Sequence, residues 1–121
     1  IENPPGVAIE MAELSEKPLT MVYDRGRNLA EGVASSDGSV GARICAEPFC
    51  DALIEALRKP LVSTSANISG SSSPAIYDEI SEEVKVAADY VCLWRQDDRS
   101  RATPSPVIRI SGNGIVKILR R

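Results

Sequence analysis

The sequence predicts an α/β fold, a twisted mixed sheet flanked by helices. Three observations carry this expectation. Apolar residues switch repeatedly between helical three- and four-residue spacing and short strand-like runs. A strand-like pair passes directly into a polar turn and then a helical segment, the order found in α/β units. The chain closes on two β-favouring runs joined by Gly112-Asn113-Gly114, a hairpin signal.

Taken in order, Val7, Ala8, Met11, Ala12 and Leu14 recur at helical spacing, predicting a short amphipathic helix over residues 5–14. Lys17-Pro18 breaks it, and residues 19–23 are rich enough in β-favouring side chains to form a strand. Residues 24–37 are polar and turn-rich. Asp37-Gly38 is a turn dipeptide, and a second strand is predicted over residues 40–45. Phe49, Ala52, Leu53, Ala56 and Leu57 share one stripe, predicting a helix over residues 48–57 that ends at Lys59-Pro60. Leu61-Val62 reads as a strand entering the polar turn, residues 77–88 as a helix, and residues 90–94 as a strand. The closing hairpin comprises residues 107–110 and 115–119.

With 121 residues the chain fits one domain, assigned here to residues 1–121. Its 43% apolar and 26% charged content is that of a folding, globular chain. A net charge of −3 argues against non-specific binding along a nucleic-acid backbone, which needs a broad excess of Lys and Arg. Arg95, Arg99 and Arg101 form the densest basic run, and Asp97 and Asp98 inside it cancel much of its field, so it reads as a solvated loop. Three cysteines without a C-x-x-C pair give neither a disulfide framework nor a thiolate zinc site, and a reducing cytoplasmic setting is expected. No apolar run reaches the length of a membrane span. Histidine is absent, which removes the Ser-His-Asp and Cys-His nucleophile systems.

Between residues 63 and 73 stand seven hydroxyl side chains, one Asn and one Gly. Hydroxyls and free turn amides donate to phosphate oxygens, and ligands of α/β sheets sit beyond strand carboxyl ends. A nucleotide suits such a cluster; a flexible Ser-rich surface loop is the competing reading. Neither a P-loop nor a dinucleotide fingerprint is present. Trp94, Phe49 and the tyrosines are too dispersed for a base-stacking platform and read as packing residues. Cys45 and Cys50 read as inert thiols, and the acidic residues 78–83 as helix-start carboxylates.

The string Pro60-Leu61-Val62-Ser63-Thr64-Ser65-Ala66-Asn67-Ile68-Ser69-Gly70, followed by Ser73-Pro74, resembles the signature of YrdC-like threonylcarbamoyl-AMP synthases. Lys17-Pro18-Leu19-Thr20, the run from Val40 to Arg43, Pro104-Ser105 and Ile118-Leu119-Arg120 match further pieces in the same order. The resemblance covers nearly the whole chain and corresponds to the C-terminal two-thirds of a typical member, so the fold is expected to be YrdC-like and incomplete, with an N-terminal portion preceding it.

The resemblance implies an enzyme joining L-threonine, bicarbonate and ATP, with Mg2+ on the nucleotide, into threonylcarbamoyl-adenylate and pyrophosphate for the t6A modification of ANN-decoding tRNAs. By motif, Ser65 and Asn67 are the catalytic S-x-N element. Ser39, Ser65, Ser73 and Arg120 align with ATP contacts, and Arg43, Ser63 and Ser105 with threonine contacts. Arg43 suits a carboxylate, which a guanidinium binds bidentately. Its other reading is a surface arginine at a strand end. Pro106 stands where the family usually has threonine, removing a backbone donor beside Ser105. The lysine–arginine pair and the tyrosine-proline-threonine strand of the family lie in the segment not represented here. tRNA or double-stranded RNA and t6A-transfer proteins are the implied macromolecular partners. Two other readings share this fold: a non-catalytic RNA-binding module, and a YciO-like relative. The second is disfavoured by Ala66-Asn67, which such relatives tend to lose.

Overall fold

The computed structural model describes all residues, 1–121, and the chain divides into two compact units. The first comprises Ile1–Arg58 with Ser105–Arg121, the second Lys59–Pro104.

The first unit is built on a four-stranded sheet of β1 (Thr20–Tyr23), β2 (Val40–Ala42), β3 (Val107–Ile110) and β4 (Val116–Arg120), in the order β2-β1-β3-β4. β1 pairs antiparallel with β2 and parallel with β3, and β4 returns antiparallel on β3. The sheet is therefore mixed, as the alternation of periodicities implies. Met21, Tyr23, Ile108 and Ile110 alternate with less buried neighbours along β1 and β3 and point to one face. α1 (Gly6–Leu14) covers that face with Ala8, wholly buried, and with Met11 and Ala12. Fully burying a Met or Ile side chain, as at Met21 and Ile110, stabilises by about 1.5–3 kcal/mol each. Leu19, predicted as the first strand residue, instead packs beside the core as the chain enters β1.

β2 is three residues long where a strand over residues 40–45 is expected. Its antiparallel partner runs out at Thr20–Met21, and beyond Ala42 no strand offers hydrogen bonds. Asp37-Gly38 forms the expected turn, with Gly38 at φ +83°, a conformation that a Cβ would strain. The hairpin turn also forms, Gly114 N donating to Ser111 O at 2.8 Å and Ser111 N to Ile115 O at 3.0 Å.

α2 (Pro48–Leu57) has the predicted boundaries, and local signals explain it. Pro48 starts the helix, the Glu47 carboxylate accepts from Cys50 N at 2.9 Å, and Arg58 closes the end in the left-handed region while donating to Ile54 O and Glu55 O. Its stripe is nevertheless half-exposed, at 38% for Phe49, 42% for Leu53 and 47% for Leu57, so no α2 residue belongs to the buried core.

The second unit contains no strand, which corrects the expectation for residues 61–62 and 90–94. Val62, Tyr90 and Leu93 are 75%, 78% and 79% exposed. A β-favouring side chain forms a strand only where a neighbour supplies a ladder and a surface to pack on, and here none does. The expected helix over residues 77–88 divides into a 3-10 turn, Tyr77–Glu79, and α3 (Glu82–Ala87). Ser81 causes the division: its hydroxyl accepts from Val84 N at 3.4 Å and so starts a new helix. No helix is long and apolar enough to cross a membrane.

Met21 and Ile110 are the largest fully buried side chains. Met21→Ala is expected to cost about 2–5 kcal/mol in urea unfolding, whereas Leu57→Ala on the exposed α2 stripe costs less than about 1 kcal/mol.

Candidate functional site

The eight residues marked by the motifs fall in both units. Ser39, Arg43, Ser105 and Arg120 lie in the first, and Ser63, Ser65, Asn67 and Ser73 in the second.

In the first unit, Ser39 is 5% exposed and committed to Asp37, whose carboxylate accepts from Ser39 N at 3.0 Å and Ser39 Oγ at 2.6 Å. Those bonds hold the Asp37 carboxyl below its ordinary range, with Arg109 adding to the effect. Arg109 spans Asp24, at 3.2 Å, and Asp37, at 3.4 Å, while Asp24 also accepts from Gly112 N at 3.0 Å. This network joins the end of β1, the turn before β2, β3 and the hairpin turn. Arg43 follows β2 and is exposed. Ser105 and Arg120 are brought together: the Ser105 carbonyl accepts from Arg120 Nη2 at 2.7 Å and Nε at 3.2 Å. The Ser105 hydroxyl shares a hydrogen bond of 2.7 Å with Thr20 Oγ1. Pro106 keeps its carbonyl in use, accepting from Thr20 N at 3.0 Å.

In the second unit the serine-rich turn is organised by Asn67. Its amide nitrogen donates to Ile68 O and to Ser71 O, both at 3.0 Å, and its carbonyl accepts from Ser73 Oγ at 3.4 Å. Ser71 N donates to Ile68 O at 2.9 Å, and Gly70 takes φ +86°, the reversal that closes the loop. Asn67 and Ser73 are thus in contact, while Ser63 and Ser65 are exposed on the approach to the turn. The cluster follows a segment without regular secondary structure, rather than a strand end as expected.

Two features were not legible in the sequence. The basic run is exposed, as expected, and it is also paired: Arg99 pairs with Asp78, and Arg101 donates to Glu79 at 2.6 Å, so both guanidiniums link the segment to the 3-10 turn. Arg95 pairs with Asp98 within its own turn. The Asp98 carboxyl is held at about 2, first by Arg95 and then by Ser100 N. Second, a cleft of about 330 Å³ has Ser65, Ala66, Tyr77, Trp94, Arg95 and Gln96 among its lining residues. Trp94 and Tyr77, read from the sequence as dispersed packing residues, share it. Their separation along the chain hides this shared lining.

Cys50 has the chemistry of an inert thiol. Burial, then Glu47 and Cys45, push it up to about 11, so its thiolate is scarce at neutral pH.

A mixed α/β sheet with a serine-rich, Asn-organised turn is the class of protein the geometry defines. A sequence model of the Sua5/YciO/YrdC family, described as "Telomere recombination", matches residues 3–121. The chain belongs to this family. It is 37% identical over 101 residues to a Methanocaldococcus jannaschii protein named "Putative threonylcarbamoyl-AMP synthase", a match covering 84% of this chain and 45% of that protein. It is 40% identical over 53 residues to a Dichelobacter nodosus protein named "Threonylcarbamoyl-AMP synthase", covering 44% of this chain and 28% of that one. The chain spans about half the length of the first of these relatives. No solved structure matches significantly.

The Asp98 carboxyl yields a pH prediction. Because its folded value lies below the ordinary 3.8, the Arg95–Asp98 pairing is complete above about pH 4 and is lost as pH falls through about 2. Carboxyl NMR titration should give a midpoint near 2 for Asp98, rising toward 3.8 in Arg95→Ala.

Proposed function

We propose that this chain is the C-terminal portion of a YrdC-like domain that, in the whole protein, makes threonylcarbamoyl-adenylate from L-threonine, bicarbonate and ATP in t6A modification of tRNA. The observation that carries this reading is the turn at residues 63–73, where Asn67 fixes the backbone by two hydrogen bonds of 3.0 Å and Ser63 and Ser65 remain exposed. The family match over residues 3–121 and the names of the two relatives support it.

In this reading Ser65 and Ser73 bind the nucleotide. The exposed Ser65 hydroxyl is available to donate to a phosphate oxygen, while the Ser73 hydroxyl exchanges its 3.4 Å bond to the Asn67 carbonyl for one to phosphate. Asn67 acts there chiefly by holding the turn, since its amide protons are already on Ile68 O and Ser71 O. Ser39 and Arg120 are nucleotide residues by motif. Each is held by its own neighbour, Ser39 by Asp37 and Arg120 by the Ser105 carbonyl. Arg43, Ser63 and Ser105 are the threonine residues, with Arg43 supplying the planar cation that a carboxylate needs. Magnesium arrives on the phosphates. The reaction runs in the cytoplasm, where tRNA and the transfer proteins that receive the adenylate are the partners.

Calorimetric titration of the chain with Mg-ATP should give saturable binding without pyrophosphate release by the chain alone. Asn67→Ala should weaken ATP binding about tenfold, because the turn loses both amide donors. Binding of a structured RNA with no heat from ATP would overturn the synthase reading in favour of an RNA-binding module.

A further inference from the structure

Within the first unit a cleft of about 280 Å³ lies at the shared carboxyl end of the two parallel strands, the place where ligands sit in α/β sheets. Tyr23 and Ile110, the last residues of β1 and β3, are register partners, and both are buried beneath it. Pro4 and Pro5 form one wall where the chain enters α1, and a backbone hydrogen bond of 3.0 Å from Glu2 N to Arg25 O fixes that entry against the residues following β1. None of the residues that carry the nucleotide and threonine motifs lines this cleft. Its charged groups are Glu2, Asp24 and Arg25. Asp24 is already engaged, one oxygen by Arg109 at 3.2 Å and the other by Gly112 N at 3.0 Å. Glu2 and Arg25 face each other at 4.0 Å, longer than a hydrogen bond, with both side chains exposed. A pair so long and so open contributes little, and each member keeps charge to offer a ligand. A simple anion would meet Arg25 and also two carboxylates, and a simple cation would meet Glu2 and also a guanidinium. A ligand that carries both charges close together meets each with its opposite, and Tyr23, Ile110 and the prolines give it apolar surface.

We propose that this cleft binds a free α-amino acid with an apolar side chain, its carboxylate on Arg25, its ammonium on Glu2 and its side chain against Tyr23, Ile110 and the two prolines. The site is separate from the residues assigned to the nucleotide and to threonine, so the inference stands whether or not that assignment holds. A guanidinium matches a carboxylate with two parallel N–H groups, which fixes the ligand's orientation as well as its charge. Pro4 and Pro5 have no side-chain freedom to lose when a ligand packs on them, so the wall is ready-made. The size agrees, since about 280 Å³ falls just under the roughly 300–1,000 Å³ of pockets that take drug-sized ligands, and an amino acid is smaller than those.

The full chain is titrated separately with L-leucine, with N-acetyl-L-leucine, which lacks the ammonium, with L-leucinamide, which lacks the carboxylate, and with glycine, which lacks the apolar side chain, following amide NMR shifts. L-Leucine is expected to give saturable shifts at Tyr23, Asp24, Arg25, Ile110 and Gly112. Each of the other three should bind about tenfold more weakly, the blocked forms because one charge of the cleft goes unmatched and glycine because it buries no hydrocarbon. Glu2→Gln and Arg25→Gln change exposed side chains outside the buried core, so urea unfolding should stay unchanged while each weakens L-leucine about tenfold. In Glu2→Gln the preference for L-leucine over N-acetyl-L-leucine should vanish, a loss that a purely structural role for Glu2 would not produce. Equal binding of L-leucine and N-acetyl-L-leucine by the unaltered chain overturns the zwitterion site. Shifts at Arg43 and Ser105 in place of these residues overturn it as well and support the threonine assignment. If L-leucine gives no saturable shifts while Mg-ATP binds with heat, the cleft is no amino-acid site and the nucleotide reading is untouched.

Discussion

The parallel pairing of β1 with β3 is the constraint on which the first unit depends. Thr20 and Ser105 share a hydrogen bond across 85 positions of sequence, and four residue pairs from Thr20↔Val107 to Tyr23↔Ile110 continue the register. Parallel strands cannot be joined by a tight turn, so the chain between them must travel a long way before it returns. Closing so long a loop is entropically unfavourable, although the cost grows slowly with length. The return is offset by one apolar face, Met21, Tyr23, Ile108 and Ile110 under α1, and by the Asp24–Arg109–Asp37 network. Exposed ion pairs contribute little each, so the apolar face dominates and the network sets direction and register.

The second unit is held by different means. Its residues bury no comparable core, and its local order comes from turn hydrogen bonds and ion pairs. Asn67 replaces ladder bonds for residues 67–73, and the arginines of residues 95–101 replace apolar packing around the 3-10 turn. A region ordered by polar contacts opens more readily than one ordered by burial.

Much of this was legible in the sequence where the signal is local. The helix at residues 48–57 carries Pro48, a capping Glu47 and a clear stripe within ten residues, and both hairpin and Asp37-Gly38 turns follow from dipeptide chemistry. The signature around Ser65 and Asn67 pointed to the turn that the structure closes. What stayed hidden depends on partners far along the chain. Leu61-Val62 and residues 90–94 have strand composition but no neighbour to pair with, and a β signal without its partner is only half the information. Likewise Arg99 and Arg101 are solvated as expected, but their partners stayed hidden, because Asp78 and Glu79 lie more than twenty residues upstream. Ser39, chosen by motif, is buried and bonded to Asp37, a role that no linear pattern announces.

The claim at the centre of this account is that the turn at residues 63–73 is a closed, phosphate-accepting loop organised by Asn67. Amide NMR shifts of the chain on adding Mg-ATP test it most directly. The account predicts saturable shifts at Ser63, Ser65, Gly70 and Ser73 whose midpoint moves to about tenfold higher Mg-ATP in Asn67→Ala; shifts confined to residues outside the second unit, or none at all, would contradict it.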